Sequence, residues 1–192
     1  GDGVTNDAVA FEAADAAALA SGRALMISAG TYNLDADITV ESAMRIEGRI
    51  TQPAGRRFSM TRNFNLVAYA AAFGSEELGF KKAFQALLNF TDHESLDLGG
   101  RRIAVTAPLD MAAVVGNKPV FSTRRVIRNG QFDVIPGPAW TDTTATSTGT
   151  YSVAAPTVLT GVVNAASVPV GALVTGAGLG REVYVPAVDV PG

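Results

Sequence analysis

Three carboxylates near the middle of the chain, Asp92, Glu94 and Asp110, lie close in sequence to the only histidine, His93. Paired carboxylates act on glycosidic bonds, one as general acid and the other as base or nucleophile. These three residues are therefore the catalytic candidates. The alternative is structural: the segment 91–95 is a polar loop that leaves a helix, and Asp92 shapes its turn.

Four further residues are candidates for binding sugar: Trp140, Arg101, Arg102 and Arg125. Trp140 is the only tryptophan and has an aspartate on either side, and an aromatic face stacks on a sugar ring while carboxylates bind its hydroxyls. The arginines, which occur in adjacent pairs, would form a basic stripe suited to an acidic polysaccharide. The alternatives are that the tryptophan packs inside the fold and that the arginines form a solvated face paired with acidic residues.

Composition argues against several other kinds of site. The chain has no cysteine and one histidine, so we predict no metal site built from thiolates or several histidines, and no cofactor. A net charge of -3 gives no electrostatic basis for binding nucleic acid. No apolar run approaches the ~18 residues of a membrane helix, so no membrane insertion is expected. The glycines at 176, 178 and 180 are not followed by a strong helix, which disfavours a nucleotide site.

Hydrophobic periodicity predicts two helices among short strands. The first covers 6–20, and the second covers 75–89 with apolar residues on one face and Lys82 and Gln85 on the other. Strands of three to five residues alternate with polar or glycine turns elsewhere, a pattern shared by sandwiches, barrels and solenoids. The segment 51–61 has no period and is predicted to be a loop.

The composition shifts after residue 140, which suggests a division of the chain. Residues 1–140 form the main domain in this interpretation. Residues 141–156, which are almost wholly small and polar at their start, form a linker or loop. Residues 157–192 form a small all-β module or insertion.

The start of the chain carries a pattern of glycines, short polar residues and aromatics. Its members are Gly1, Asp2, Gly3, Thr5, Asp7, Phe11, Gly30 and Tyr32. Together with the alanine-rich helix between them, the pattern resembles the start of the pectate-lyase-like right-handed β-helix superfamily, which includes many phage tail spikes. One difference is Ser28, which stands where that family usually has a proline. The module at 157–192 resembles small β-modules that recur in phage tail proteins.

The resemblance implies a mainly β fold. We therefore predict the start of a right-handed parallel β-helix, a solenoid, with a capping helix at its N-terminal end, a second helix and a small C-terminal all-β unit. In such a fold the motif is structural rather than catalytic. It shapes the first turn, and the helix after it covers a sheet edge and an apolar end that would otherwise be exposed.

The resemblance also implies a biological setting. We predict a tail spike or tail fibre protein of a phage or prophage, located in the virion tail or outside the cell. It would form a homotrimer, contact other virion or tail proteins and bind bacterial surface polysaccharide. Two alternatives stay open: a polysaccharide lyase or glycoside hydrolase of the same fold, and a purely structural module of the particle.

Overall fold

The computed structural model describes residues 1–89 and 92–189. The chain divides into two compact units, Gly1–Trp140 and Thr141–Gly192. Of the described residues, 24% are helical and 30% lie in strands. Each unit is treated below by itself.

The first unit contains most of the regular structure. In chain order its elements are β1 (Asp2–Asn6), α1 (Ala8–Ala20), β2 (Leu25–Ile27), β3 (Thr31–Asn33), β4 (Ile38–Val40), β5 (Met44–Ile46), β6 (Arg49–Thr51), β7 (Phe58–Met60), α2 (Leu66–Phe73), α3 (Glu76–Asn89), β8 (Ser95–Val105), α4 (Met111–Val114) and β9 (Val126–Val134). A short 3-10 turn at Pro138–Trp140 ends the unit.

All the strand pairs of the first unit are parallel, but the sheets are small. β1, β3 and β6 form one sheet of three strands, whereas β2 with β5, β4 with β7, and β8 with β9 form sheets of two. The pairs β2–β5, β3–β6 and β4–β7 have no register shift, as in Thr31 with Arg49 and Ile38 with Phe58, whereas β1–β3 and β8–β9 each contain one irregularity.

The predicted β-helix is therefore wrong, and so is the mainly β fold class. The fold is a mixed α/β arrangement in which short strands form small separate sheets, and within the described residues no sheet exceeds three strands. The physical reason is that the chain leaves β7 at Met60 and forms α2 and α3 before its next strand begins at Ser95. Helices thus occupy the stretch where a solenoid would need further strands.

The helix predicted at 6–20 runs over Ala8–Ala20 and packs its small face on the sheets. Its buried residues are Ala8, Phe11, Asp15 and Ala18. Asn6 contributes to its start, because Asn6 Oδ1 accepts a hydrogen bond from the Ala8 amide at 3.1 Å. The first turn of the helix therefore has one of its free amides satisfied by a side chain.

The buried carboxylate of this helix holds the segment that leaves β4. Asp15 accepts hydrogen bonds from the amides of Glu41 (2.9 Å) and Ser42 (3.1 Å), and also from the Ser42 hydroxyl. A buried carboxylate needs such partners, because an unpaired one is costly to remove from water. These bonds fix α1 on β4.

The second and third helices pack closely on each other. The Asn65 side chain caps α2 by accepting from the Ala68 amide at 2.9 Å, and Gly74 ends it with a φ of 67°. A Cβ placed on Gly79 of α3 would lie 2.7 Å from the Ala70 amide nitrogen of α2. Only glycine permits this approach.

The predicted helix at 75–89 begins at Glu76 in the structure, and Ser75 Oγ accepts from the Leu78 amide at 3.3 Å. Lys82 and Gln85, which were expected on its polar face, are instead buried. The reason is that the loop between β6 and β7 covers this face of the helix and offers backbone carbonyls to both side chains.

The centre of the core is aromatic and includes a strand that sequence reasoning missed. Phe58 of β7 packs edge-on against Phe11 at 6.1 Å, Tyr69 at 6.3 Å and Phe73 at 5.5 Å between ring centroids. The prediction of a loop over 51–61 is wrong at its end, where every residue of β7 is buried. A fully buried strand of three residues has no alternation to reveal it.

The second unit is built from two small antiparallel pairs. Its strands are β10 (Thr150–Ser152), β11 (Ala155–Thr160), β12 (Leu173–Val174) and β13 (Val183–Tyr184), with β10 paired to β11 and β12 to β13. The first pair crosses the predicted boundary between the linker 141–156 and the module 157–192. Residues 190–192 of that module lie outside the described part of the chain.

Candidate functional site

The N-terminal motif forms a turn held by one carboxylate. Asp2 Oδ1 accepts from the amides of Val4 and Thr5, both at 2.9 Å, and Asp2 Oδ2 accepts from the Thr5 hydroxyl at 2.8 Å. These hydrogen bonds, led by that from Val4, lower the pKa of Asp2 to about 2. Gly3 has a φ of 77°, in the left-handed region that favours glycine. The carboxylate is therefore engaged in shaping the turn.

The motif continues across the sheet to the turn at Gly30. A Cβ on Gly1 would lie 2.1 Å from the Thr31 carbonyl oxygen, so the two segments meet without room for a side chain. The Tyr32 hydroxyl lies 2.9 Å from the Ser28 hydroxyl. Ser28 thus contacts the hydroxyl group of the motif's tyrosine.

Two further motif residues, Asp7 and Phe11, join the helix to the sheet. Asp7 donates from its amide to the Asn33 carbonyl at 2.7 Å, and its Oδ2 accepts from the Asn33 amide at 3.2 Å. Phe11 is buried against Phe58. Each of these contacts is internal to the fold.

The three catalytic candidates occupy different local environments. Asp92 and Glu94 are exposed, and the Glu94 backbone carbonyl accepts from the Val126 amide at 3.0 Å. Asp110 caps α4, because its Oδ1 accepts from the Ala113 amide at 2.9 Å. No hydrogen bond or ion pair among the described residues joins these three carboxylates to one another.

The neighbouring histidine is held by packing. The His93 ring stacks on Phe64 with ring centroids 4.5 Å apart, and its Nε2 lies 3.0 Å from the Thr61 carbonyl oxygen. Thr91, the first residue of the predicted polar loop 91–95, lies outside the described residues. The histidine therefore ties this loop to the end of β7.

The sugar-binding candidates are dispersed over the first unit. Trp140 is half-buried in the turn Pro138–Trp140. Arg101 forms an ion pair with Glu76 of α3. Arg125 donates from Nη1 to the His93 carbonyl at 2.7 Å. Arg102 is 65% exposed and extends from β8 toward Asp133 of β9.

β8 and β9 together present a group of exposed or half-buried polar side chains, which we call the outer polar row. Its members are Asp97, Arg102, Arg128, Asn129, Gln131 and Asp133. The parallel register places Asp97 beside Arg128 and Arg102 beside Gln131. Leu96, Leu98 and Ile103 of β8 point into the core, whereas every residue of β9 is exposed.

One half of the outer polar row is centred on Asp97. Its Oδ1 accepts from the Gly99 amide at 2.8 Å and from Asn129 Nδ2 at 2.9 Å, and its Oδ2 lies 3.4 Å from Arg128 Nη2. The bond from Gly99, then that from Asn129, and the charge of Arg128 lower the pKa of Asp97. This carboxylate therefore stays ionised in neutral solution.

The other half is centred on Arg102. Its Nη1 lies 3.6 Å from Asp133 Oδ2. With the Gln131 amide turned so that both groups are satisfied, Arg102 Nη2 donates to Gln131 Oε1 at 2.9 Å. The side chains of Arg102, Arg128 and Asp133 remain 65%, 61% and 52% exposed, so their outer donors and acceptors face solvent. The row thus holds cationic donors, carboxylate acceptors and amides in fixed positions.

Sequence reasoning named Arg102 but did not place Gln131 and Asp133 beside it. Gln131 and Asp133 are about 30 positions away in the chain and reach Arg102 only through the parallel pairing. A signal was present, since Arg128, Asn129, Gln131 and Asp133 are polar residues among the apolar side chains of 126–135. Without the pairing of β8 with β9, the sequence does not show which strand lies beside that stretch.

Comparison with protein-family models, with curated proteins and with solved structures found no match to this chain. Among the described residues, no group of three or more histidine, aspartate or glutamate side chains is arranged to hold a metal ion. In the same part of the chain, none of the helices has the length and apolar character needed to cross a bilayer.

Proposed function

We propose that this chain is a binding domain for bacterial surface polysaccharide, working without cleavage, in a tail spike or tail fibre of a phage or prophage. The observation that carries the binding proposal is the outer polar row. Guanidinium, carboxylate and amide groups together supply the donors and acceptors that sugar hydroxyls require. Those at 102, 128 and 133 are held by their neighbours while more than half of each side chain stays exposed.

The shape of the surface favours a polymer over a small molecule. Sites for small molecules are concave and enclose most of the ligand. The outer polar row instead lies along two neighbouring strands whose outward side chains are open to solvent. An extended chain of sugars would contact several such side chains at once, and repeated weak contacts would add to the affinity.

The positions of the acidic candidates favour binding over cleavage. Glycoside hydrolysis needs two carboxyl groups on either side of one bond. The Asp110 carboxylate caps a helix, while Asp92 and Glu94 are exposed loop residues. The row's own carboxylates at 97 and 133 are each paired with an arginine, which suits them to positioning a ligand.

The proposed biological setting rests on the resemblance of the N-terminal motif to the start of the pectate-lyase-like β-helix superfamily, which includes many phage tail spikes. Gly1, Asp2, Gly3 and Thr5 form the tight turn that this motif implies, and Asp7 with Phe11 joins the following helix to the sheet. A tail location, a homotrimer and contacts with other tail proteins belong to this proposal. The binding part of the proposal rests on the outer polar row and does not depend on a solenoid.

The test is retention of the protein on immobilised polysaccharide from candidate host bacteria. Arg102→Ala and Arg128→Ala each remove charged hydrogen bonds, so the affinity of each variant for the polysaccharide should fall by about tenfold or more. The matched control is Arg56→Ala, which removes an exposed arginine paired with Asp35 at 3.2 Å. Equal binding by the wild type, the control and both row variants would contradict the assignment of this surface.

A further inference from the structure

The last turns of α3 and the segment that leads into β9 enclose an apolar pocket of about 390 Å³ in the first unit. One wall is formed by Phe84, Leu87 and Leu88 of α3, and the facing wall includes Phe121 and Ile127. Leu87 is fully buried, whereas Phe121 and Ile127 remain 44% and 37% exposed. Large apolar side chains left open around one concavity are typical of a site for a small molecule.

Lys118 connects the two walls of this pocket. Its Nζ lies 3.5 Å from the Leu88 carbonyl oxygen and 5.7 Å from the centre of the Phe121 ring. These contacts join the segment before β9 to the end of α3 and place a positive charge close to the apolar residues. The two walls are therefore held opposite each other.

The charged residues that line the pocket are both cationic. They are Arg124 and Arg125, and none of the described residues that line the pocket is acidic. Arg125 Nη1 donates to the His93 carbonyl at 2.7 Å, which holds this side chain in place. Arg124 is exposed, and no ion pair among the described residues includes it. Its guanidinium is therefore available to an anionic ligand.

We propose that this pocket binds a small amphipathic carboxylate, in which an apolar chain of about ten carbons ends in one carboxylate group. The planar guanidinium of Arg124 matches a carboxylate and pairs with it through two parallel hydrogen bonds. The apolar chain lies between α3 and Phe121. A water-sized group takes about 30 Å³, so a volume of about 390 Å³ holds about 13 non-hydrogen atoms. Decanoate, with ten carbons and two oxygens, is close to this size.

A second groove in the same unit shows why the charge of the ligand matters. The groove between α1 and β4 is larger, about 510 Å³, and also contains an apolar side chain, Leu19. Its charged residues are acidic, however, and include Glu12, Asp37 and Glu41. A carboxylate would be repelled there, because like charges that face each other are unfavourable. Decanoate should therefore bind at only one of the two concavities.

Isothermal titration calorimetry of the full chain with sodium decanoate at neutral pH tests the proposal. The wild type should bind one equivalent with a dissociation constant of about 1 mM or lower. Arg124→Met removes the guanidinium but keeps an unbranched apolar side chain, so its dissociation constant should rise by about tenfold or more. The matched control is Arg56→Met, which removes an exposed arginine paired with Asp35 and should bind decanoate as the wild type does.

Amide chemical shifts of the wild type locate the ligand. Decanoate should shift the amides of 84–88 and 121–127 and leave those of the groove between α1 and β4 unchanged. Decylammonium, which has the same chain and the opposite charge, should not displace decanoate from these amides.

Absence of decanoate binding by the wild type, equal affinity in Arg124→Met, or shifts confined to other residues would each overturn the proposal. Two cross-checks separate this pocket from the outer polar row. Arg124→Met should be retained on polysaccharide as the wild type is, and Arg102→Ala should bind decanoate normally. A failure at one site is therefore distinguishable from a failure at the other.

Discussion

The stability of the first unit should depend on pH through Lys82, and substituting this one residue should remove that dependence. The residue is 2% exposed, and its Nζ donates to the carbonyls of Pro53 at 2.7 Å and Arg56 at 2.6 Å. Its ammonium group also lies 5.9 Å from the centre of the Phe73 ring. Burial lowers the pKa of Lys82 from its ordinary value of 10.5 to about 8, although the charge of Asp37 acts in the opposite direction.

The direction of the effect follows from proton linkage. Between about pH 8 and pH 10.5 the unfolded chain holds the Lys82 proton while the folded protein has lost it, so the free energy of unfolding rises with pH. The two pKa values differ by about 2.5, which is worth about 3 kcal/mol in full. About 2 kcal/mol of this appears between pH 7 and about pH 9.5. Burial also raises the pKa of Tyr69. Above the ordinary pKa of tyrosine the unfolded chain loses this proton while the folded protein keeps it, so the free energy of unfolding falls again at that pH.

Urea unfolding followed by circular dichroism at helical wavelengths measures this change, because α1, α2 and α3 all lie in the first unit. A rise of about 2 kcal/mol would move the midpoint by roughly 1 M urea. Lys82→Met should lose the rise. The control Lys81→Met, which removes the neighbouring lysine paired with Glu77 at 2.7 Å, should keep it. An equal rise in both variants, or none in the wild type, would refute the reasoning.

Two further substitutions test the packing of the first unit by the same unfolding assay. Asp15→Ala removes the acceptor for Glu41 and Ser42 from a buried position, and it should cost about 3 kcal/mol; a change below about 1 kcal/mol would show that these bonds are dispensable. Gly48→Ala places a Cβ 2.5 Å from a backbone carbonyl oxygen and should cost roughly 2 kcal/mol. Gly55→Ala, which enters open space, should change stability by less than about 1 kcal/mol, and equal effects at both glycines would contradict the geometry.

The helices were predictable because their signals are local. The second predicted helix has a serine cap, acidic residues in its first turn and apolar residues at helical spacing, and it runs over Glu76–Asn89. The burial of Lys82 was not predictable, because it depends on carbonyls that approach from a loop 26 to 29 residues earlier in the chain. Tertiary contact overrode the expected polar face.

The predicted fold class was wrong for a related reason. The local turn at Gly1–Thr5 is consistent with the motif, but a motif that ends at Tyr32 says nothing of how later strands pair. Strands of three residues carry too few side chains to specify a partner. Their grouping into small sheets, with helices between β7 and β8, is set by long-range packing.

The candidate site was partly visible in the sequence. Arg102 was named as a sugar-binding residue, whereas its neighbours Gln131 and Asp133 required the parallel register of β8 and β9. The catalytic candidates illustrate the opposite problem. Asp110 belonged to an acidic cluster in sequence, yet its carboxylate caps a helix.

The central claim is that the first unit binds surface polysaccharide through the outer polar row and leaves the polymer intact. The most direct measurement incubates the wild type with host polysaccharide and determines both the bound fraction and the length of the recovered polymer. We predict binding that Arg102→Ala weakens about tenfold, together with unchanged polymer length. A shortened polymer with new reducing ends or unsaturated uronates, or binding unaffected by Arg102→Ala, would contradict this account.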